Sequence, residues 1–544
     1  MYFHSEKGTK VSKMQTLKSK IQKIAKKEYL VYIFFIFAIF SILVLKPIEN
    51  LDEIWNYNTA RALLSGLIPY KEISMITTPF LPIINSIFLF IFGNEVIVDR
   101  IFSAIINAGI LYLTFNILRK TFEETNISLI STFLLYLLYK NYFCLDYNFF
   151  VLLLVLIMIN IEINFTNKES KDESTENTKR YSILNDLKQN KKINICIGVI
   201  AGLAICTKQS VGAVVAVFSV IYPLIWVRNK PMIKDALKCS IYRIIGILIP
   251  ILILFIYLLV NGAIGDFIDY AIKGISHFNN SISYERLYTN NKFIIKLLSK
   301  SLIAVILVII ISAIFTKKSK RENRNLLPLI IYAIPMLILL YPISDVIHFI
   351  IATYVIWLTG IYLIFGVFGK WLYSKVNLKR KKRLYKITSL IIFLLLFVNV
   401  TTNTITNYID YYNQEKTHNI KHYSGIQIED YLLQRINEID SYIKEQVENG
   451  KKVYILDAEA AVYNIPLDIY NKDYDMFLKG NIGKDGEEGL IKKVEEQSKN
   501  ANNLFLIRND NFSQNWQTPL EVVNYVKDNF NKIDEISIYD VYKK

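Results

Sequence analysis

Two adjacent carboxylates, Asp52 and Glu53, stand a few residues after an apolar run that ends at Lys46. The other side chains able to do chemistry sit in the same kind of place, at the edges of long apolar segments. Lys208 lies in Thr207-Lys208-Gln209-Ser210 between two such segments, and Asp345 and His348 lie three apart at the head of another. Arg100, preceded by Asp99, opens a third, and Asp146-Tyr147-Asn148 separates two more. A positioned carboxylate takes the proton from an attacking hydroxyl, and cations across from it neutralise a departing phosphate. Carboxylates held beside a bilayer between amphipathic helices suit chemistry on a lipid-borne substrate.

Each residue also has a plainer reading. Asp52 opens a short amphipathic stretch carrying Ile54, Trp55, Tyr57, Leu63 and Leu64, where an Asp commonly caps a helix. Lys208 would snorkel to lipid headgroups. Asp345 and His348, one helical turn apart, would form a structural pair, and Arg100 would pair with Asp99.

The elements that carry these residues belong to a membrane protein. The 544-residue chain is 53% hydrophobic, and long apolar runs recur along it. Its net charge of +16 falls in short clusters between those runs, as the positive-inside bias requires, so a nucleic-acid partner is excluded. The four cysteines lie in or beside apolar segments without metal or redox spacing and read as packing residues.

The runs predict about eleven membrane helices. A Lys-rich arm over 1–28 is cytoplasmic, the membrane domain covers 29–403, and its first extracytoplasmic loop covers 46–95. The basic clusters at Arg119-Lys120, Arg228 to Arg243, Lys317 to Arg321 and Lys370 to Lys386 then all fall inside. The polar segment 167–192 reads as a cytoplasmic loop with no apolar period, and 261–291 as a long outer loop able to close over substrates. Residues 404–544 read as a soluble extracytoplasmic α/β domain, three-layered with a mostly parallel sheet. The N-terminus is placed inside and the C-terminal domain outside.

A family resemblance is carried by the first loop. Asp52-Glu53, Tyr57, Ala62-Leu63-Leu64-Ser65-Gly66 with Pro69-Tyr70, then Thr78-Pro79 and an apolar run closing on Phe92-Gly93 resemble the first extracytoplasmic loop of GT-C glycosyltransferases. That superfamily includes the lipid A aminoarabinose transferases and the protein O-mannosyltransferases. The resemblance implies a GT-C-like helical membrane fold and an inverting transfer from a polyprenyl-phosphate-linked sugar to a cell-envelope acceptor at the outer face of the plasma membrane. It implies Asp52 as general base; Glu53 beside it is a candidate second catalytic carboxylate, its plainer reading being a side chain that faces water. Lys208, His348 and Arg100 become candidate contacts for the donor phosphate, with Tyr57, Asp146, Tyr147, Asn148, Gln209 and Asp345 supporting the cavity. Many relatives have Lys-Pro-Pro where this chain has Thr77-Thr78-Pro79, so a phosphate-contacting Lys is missing there. No cofactor is implied. With no Asp-x-Asp, a divalent metal is compatible with the site but not indicated. Two other classes stay open: a transporter or flippase for a lipid-linked glycan, and a ligase of the same superfamily using a diphosphate donor.

Overall fold

A computed structural model describes residues 30–363, apart from 41, 42, 44, 45, 49, 123, 124, 141, 143, 167–175, 278–281 and 316–321. It also describes parts of 387–413, and 420–544 apart from 511–517. The basic arm over 1–28 and the clusters Lys317 to Arg321 and Lys370 to Lys386 lie outside the described residues. The last predicted membrane helix falls where the chain is described only in part.

A bundle of apolar helices makes up the first two thirds. It comprises α1 (Leu30–Phe40), α2 (Leu51–Leu64), α3 (Phe80–Phe92), α4 (Val96–Phe122), α5 (Thr125–Tyr139), α6 (Tyr147–Thr166), α7 (Glu176–Gln189), α8 (Lys191–Thr207), α9 (Gln209–Ile221), α10 (Lys230–Val260), α11 (Phe293–Phe315), α12 (Glu322–Met336) and α13 (Val346–Tyr362). Among the described residues five helices are long and apolar enough to cross a membrane, or six if α7 and α8, bent by 85°, count as one span. Shorter apolar helices occupy the places of the other expected spans up to residue 361. Along α10 and α11, Leu252, Ile253, Ile256, Ile303, Leu307 and Ile311 are exposed, a surface that lipid tails satisfy and water does not.

Three expectations are corrected here. The segment 167–192 is not all loop: α7 forms within it, because Ile183, Leu184 and Leu187 share one buried face. Helix α10 begins at Lys230, so Arg243 lies inside it, fully buried, in a 2.7 Å ion pair with Glu162 of α6. A cation can sit there because its partner is desolvated with it, while Asn194 accepts from its Nε and the Ser219 carbonyl from its Nη1. The stretch 261–291 is partly wound into single helical turns at 264–277 and 285–288.

The C-terminal domain is three-layered, but its sheet is mixed. Strands β1 (Lys452–Ile455), β2 (Asn503–Arg508), β3 (Asn531–Ile536) and β4 (Tyr539–Lys543) run in the order β1-β2-β4-β3. Only β1 and β2 are parallel. The run Ile536 to Val541, which reads as a single strand by its apolar residues, is in fact the turn and inner arm of a hairpin, with Ser537 at φ +54°. Its outer arm, β3, is polar and exposed and so carries no apolar signal, as befits an edge strand. Helix α14 (Asp430–Glu448) covers one face of the sheet; α15 (Gly486–Ser498) and α16 (Leu520–Asn529) cover the other. The core beneath α14 continues into Ile54, Trp55, Tyr57 and Ala60 of α2. The loop helix bearing the carboxylates thus shares a core with the C-terminal domain.

Candidate active site

Helix α2 starts because Asn50, in an extended conformation, accepts the Asp52 N–H at 2.9 Å. The cap is therefore Asn50. Asp52 and Glu53 occupy the first turn, where free backbone N–H groups favour negative charge. Asp52 faces a cavity of about 900 Å³ whose walls also include Tyr147, Lys208, Gln209, Asp345 and His348.

Three polar segments meet around Asp52. Helices α8 and α9 are separated by the single extended residue Lys208. They can turn that tightly because residue 212 is glycine: a Cβ there would lie 2.3 Å from the Ala204 carbonyl oxygen. Lys208 Nζ donates to Asn148 Oδ1 at 2.8 Å and lies 4.7 Å from the centre of the Tyr147 ring. Asp345 caps α13, accepting the His348 N–H at 2.8 Å, and its Oδ1 lies 2.9 Å from His348 Nδ1. Asp146 is buried behind these groups and accepts the Asn148 N–H.

The electrostatics follow from that packing. Desolvation, then the charges of Asp146 and Asp345, push the Asp52 carboxyl from its ordinary 3.8 up to about 7, against the pull of His348 and Lys208. Burial raises Asp146 as well, opposed by Lys208, His348 and the N–H groups of Asn148 and Phe149. Burial lowers Lys208 to about 8 despite the opposing carboxylates of Asp146, Asp52 and Asp345. Burial works against the charge of Asp345, but hydrogen bonds and charge from His348 outweigh it and hold that carboxyl low.

Glu53 and Arg100 line the cavity but spend their charges on each other. Arg100 Nε meets Glu53 Oε1 at 2.9 Å and its Nη2 meets Oε2 at 3.0 Å, with both side chains almost fully buried. Arg100 also donates to the carbonyls of Lys46 and Pro47. It ties the start of the loop to α4 and does not pair with Asp99, which accepts from Asn85 at 2.6 Å. Tyr57 points away from the cavity: its hydroxyl donates to Asn94 at 3.0 Å within the core shared with the C-terminal domain. Gln209 stitches strands of loop together, donating to the Ile76 and Ala271 carbonyls at 2.9 Å each. Thr77, where many relatives carry the lysine, lines the cavity, and Thr78 beside it donates to the Ile205 carbonyl at 2.6 Å.

Some wall residues had weak signals or none in the sequence. Arg286, on the short turn 285–288, is exposed and lines the cavity; its place in a long outer loop was the only hint. Met476 and Leu478 reach the cavity from the C-terminal domain, and no local pattern marks them.

In a comparison with solved structures, the chain is similar to ArnT from Cupriavidus metallidurans bound to undecaprenyl phosphate, with a TM-score of 0.50 and 12% identity over 96% of this chain and 98% of that one. No family model matches the chain, and no curated protein matches it. At that identity the likeness concerns the fold alone, which the two chains share over nearly their whole length.

Proposed function

We propose that the protein is an inverting membrane glycosyltransferase that moves a sugar from a polyprenyl-phosphate donor to a cell-envelope hydroxyl. The reaction takes place at the outer face of the plasma membrane, with the N-terminus cytoplasmic and the C-terminal domain outside. The observation that carries this reading is the shared cavity of Asp52, Lys208 and His348. A carboxyl near pH 7 is half ionised under working conditions and still basic enough to accept a hydroxyl proton. As Asp52 takes that proton, the acceptor oxygen bonds to C1 and the C1–O bond to the lipid phosphate breaks. The phosphate leaves with the electron pair, and in-line attack inverts C1. Lys208, His348 and the exposed Arg286 supply positive charge or donors to the phosphate. Glu53 and Arg100, already neutralised by each other, hold the loop in place.

The transporter reading loses ground because Asp52, Lys208, Asp345 and His348 gather around one cavity, and the buried charge Arg243 is paired with Glu162.

Lys208 provides the test. Removing an amine–phosphate contact from a partly desolvated site costs roughly 1.5–3 kcal/mol, so Lys208→Met should lower kcat/KM about ten- to a hundred-fold. Lys208→Arg should recover part of the loss. The pH profile separates the roles: transfer should rise as Asp52 ionises through about 7 and fall as Lys208 deprotonates through about 8. In Lys208→Arg the alkaline limb should disappear and the acidic limb remain, since guanidinium keeps its proton. Equal rates and identical profiles for all three proteins, measured with a polyprenyl-phosphate-linked sugar in one detergent, would remove Lys208 from the site.

A further inference from the structure

The C-terminal domain grips α2 by its polar face. Trp55 Nε1 donates to the Ala458 carbonyl at 3.1 Å. The fully buried Arg61 donates to the carbonyls of Ile465 and Ile469 and to Asp468, each at 3.1 Å, and stacks on the Tyr470 ring. Asn58 donates to Asp475 at 3.1 Å, and Asp475 also accepts from Asn464 Nδ2 and from the Asn471 N–H. The next residue is Met476, whose carbonyl is held by Asn481 Nδ2 at 3.0 Å. These bonds leave the Met476 side chain on the wall of the large cavity and of a small recess beside it, and both spaces are also lined by Asp52.

The recess has a volume of about 30 Å³, room for about one hydroxyl or water. Its described walls include Asn56, Thr59, Thr77 and Met476 and no cation. Lys208, His348 and Arg286 all line the large cavity instead. In-line displacement requires the acceptor hydroxyl to reach Asp52 from a direction other than that of the departing phosphate. The cation-free side of Asp52, walled by Met476, meets that requirement.

We infer that the C-terminal domain forms the acceptor end of the active cavity, with Met476 setting how bulky an acceptor can come within reach of Asp52. The domain also holds the turn at 264–277 through Tyr270 on Asp473 and Lys472 on Asp266, and Ile275 of that turn lines the same cavity. The acceptor hydroxyl then reaches Asp52 along the Met476 wall of the cavity. The inference rests on the glycosyltransferase reading above.

The test uses the full-length protein in the membranes of cells lacking the native copy, which supply donor and acceptor together. Undecaprenyl phosphate is the binding probe, read as the shift it causes in thermal unfolding in detergent. Met476→Trp should cut the yield of glycosylated acceptor about ten-fold or more while leaving the undecaprenyl phosphate affinity within about two-fold. Met476→Ala should keep that affinity, raise the KM for the native acceptor more than it lowers kcat, and admit bulkier acceptors; Met476→Leu should restore wild-type behaviour. If Met476→Trp does not fold, the Ala and Leu arms decide. Transfer within about two-fold of wild type in both Trp and Ala variants would overturn the inference. So would an equal loss of undecaprenyl phosphate affinity, which would put Met476 on the donor side. Asp52→Asn runs alongside: full transfer by that variant would sink the glycosyltransferase reading itself, whichever way Met476 behaves.

Discussion

Asp52→Asn should lose transfer by between about a hundred- and ten-thousand-fold, since an amide cannot accept the acceptor's proton. The fold should survive intact, because the cap of α2 is Asn50 and the Asp52 side chain is not needed to start the helix. The variant should even gain stability at neutral pH. In the folded protein the Asp52 carboxyl lies near 7, above its ordinary 3.8, so folding binds its proton more tightly. The wild type pays no penalty for this group below about pH 4. It loses stability as pH rises from there towards 7, and the loss is then constant. Asparagine removes that loss, so the advantage of Asp52→Asn should be absent at pH 4 and reach roughly 1–4 kcal/mol above pH 7. Thermal unfolding in detergent at pH 4 and pH 8, beside a turnover assay, checks both halves. Near wild-type turnover would remove Asp52 as the base.

The second large effect is structural. Arg100→Leu strands Glu53 as an unpaired buried carboxylate and frees the carbonyls of Lys46 and Pro47. Breaking one side of such a pair costs about 3–5 kcal/mol, so the variant should unfold at markedly lower temperature. Glu53→Gln combined with Arg100→Leu should recover a good part of that, because no buried charge then stands alone. A phosphate-binding Arg100 predicts the reverse pattern: stability near wild type, weakened undecaprenyl phosphate binding and no rescue by the double substitution. The two measurements together assign the residue.

Much of this protein is legible along the chain. Long apolar runs with basic clusters between them specify a helical membrane domain, because lipid tolerates only segments that satisfy their own backbone. The switch in composition near residue 404 precedes the part of the chain that carries the sheet, and the spacing of Val453, Ile455, Leu504 and Leu506 marks strands with a buried face. Asp52, Lys208, Asp345 and His348 stand out because a charge at the edge of an apolar run is costly wherever it lacks a use or a partner. Local chemistry was enough to nominate them. Which charges remain available, and which cancel, was a tertiary decision. Glu53 and Arg100 find each other across 47 residues, and nothing near either one favours that pairing over Asp99 or the substrate. The edge strand β3 escaped notice because an exposed strand needs no apolar pattern, and α7 because three apolar residues on one face suffice to dock it. Met476 is the extreme case. Its place beside Asp52 depends on Asn58 meeting Asp475 from 417 residues away, and a hydrogen bond between distant segments leaves no periodicity in either of them.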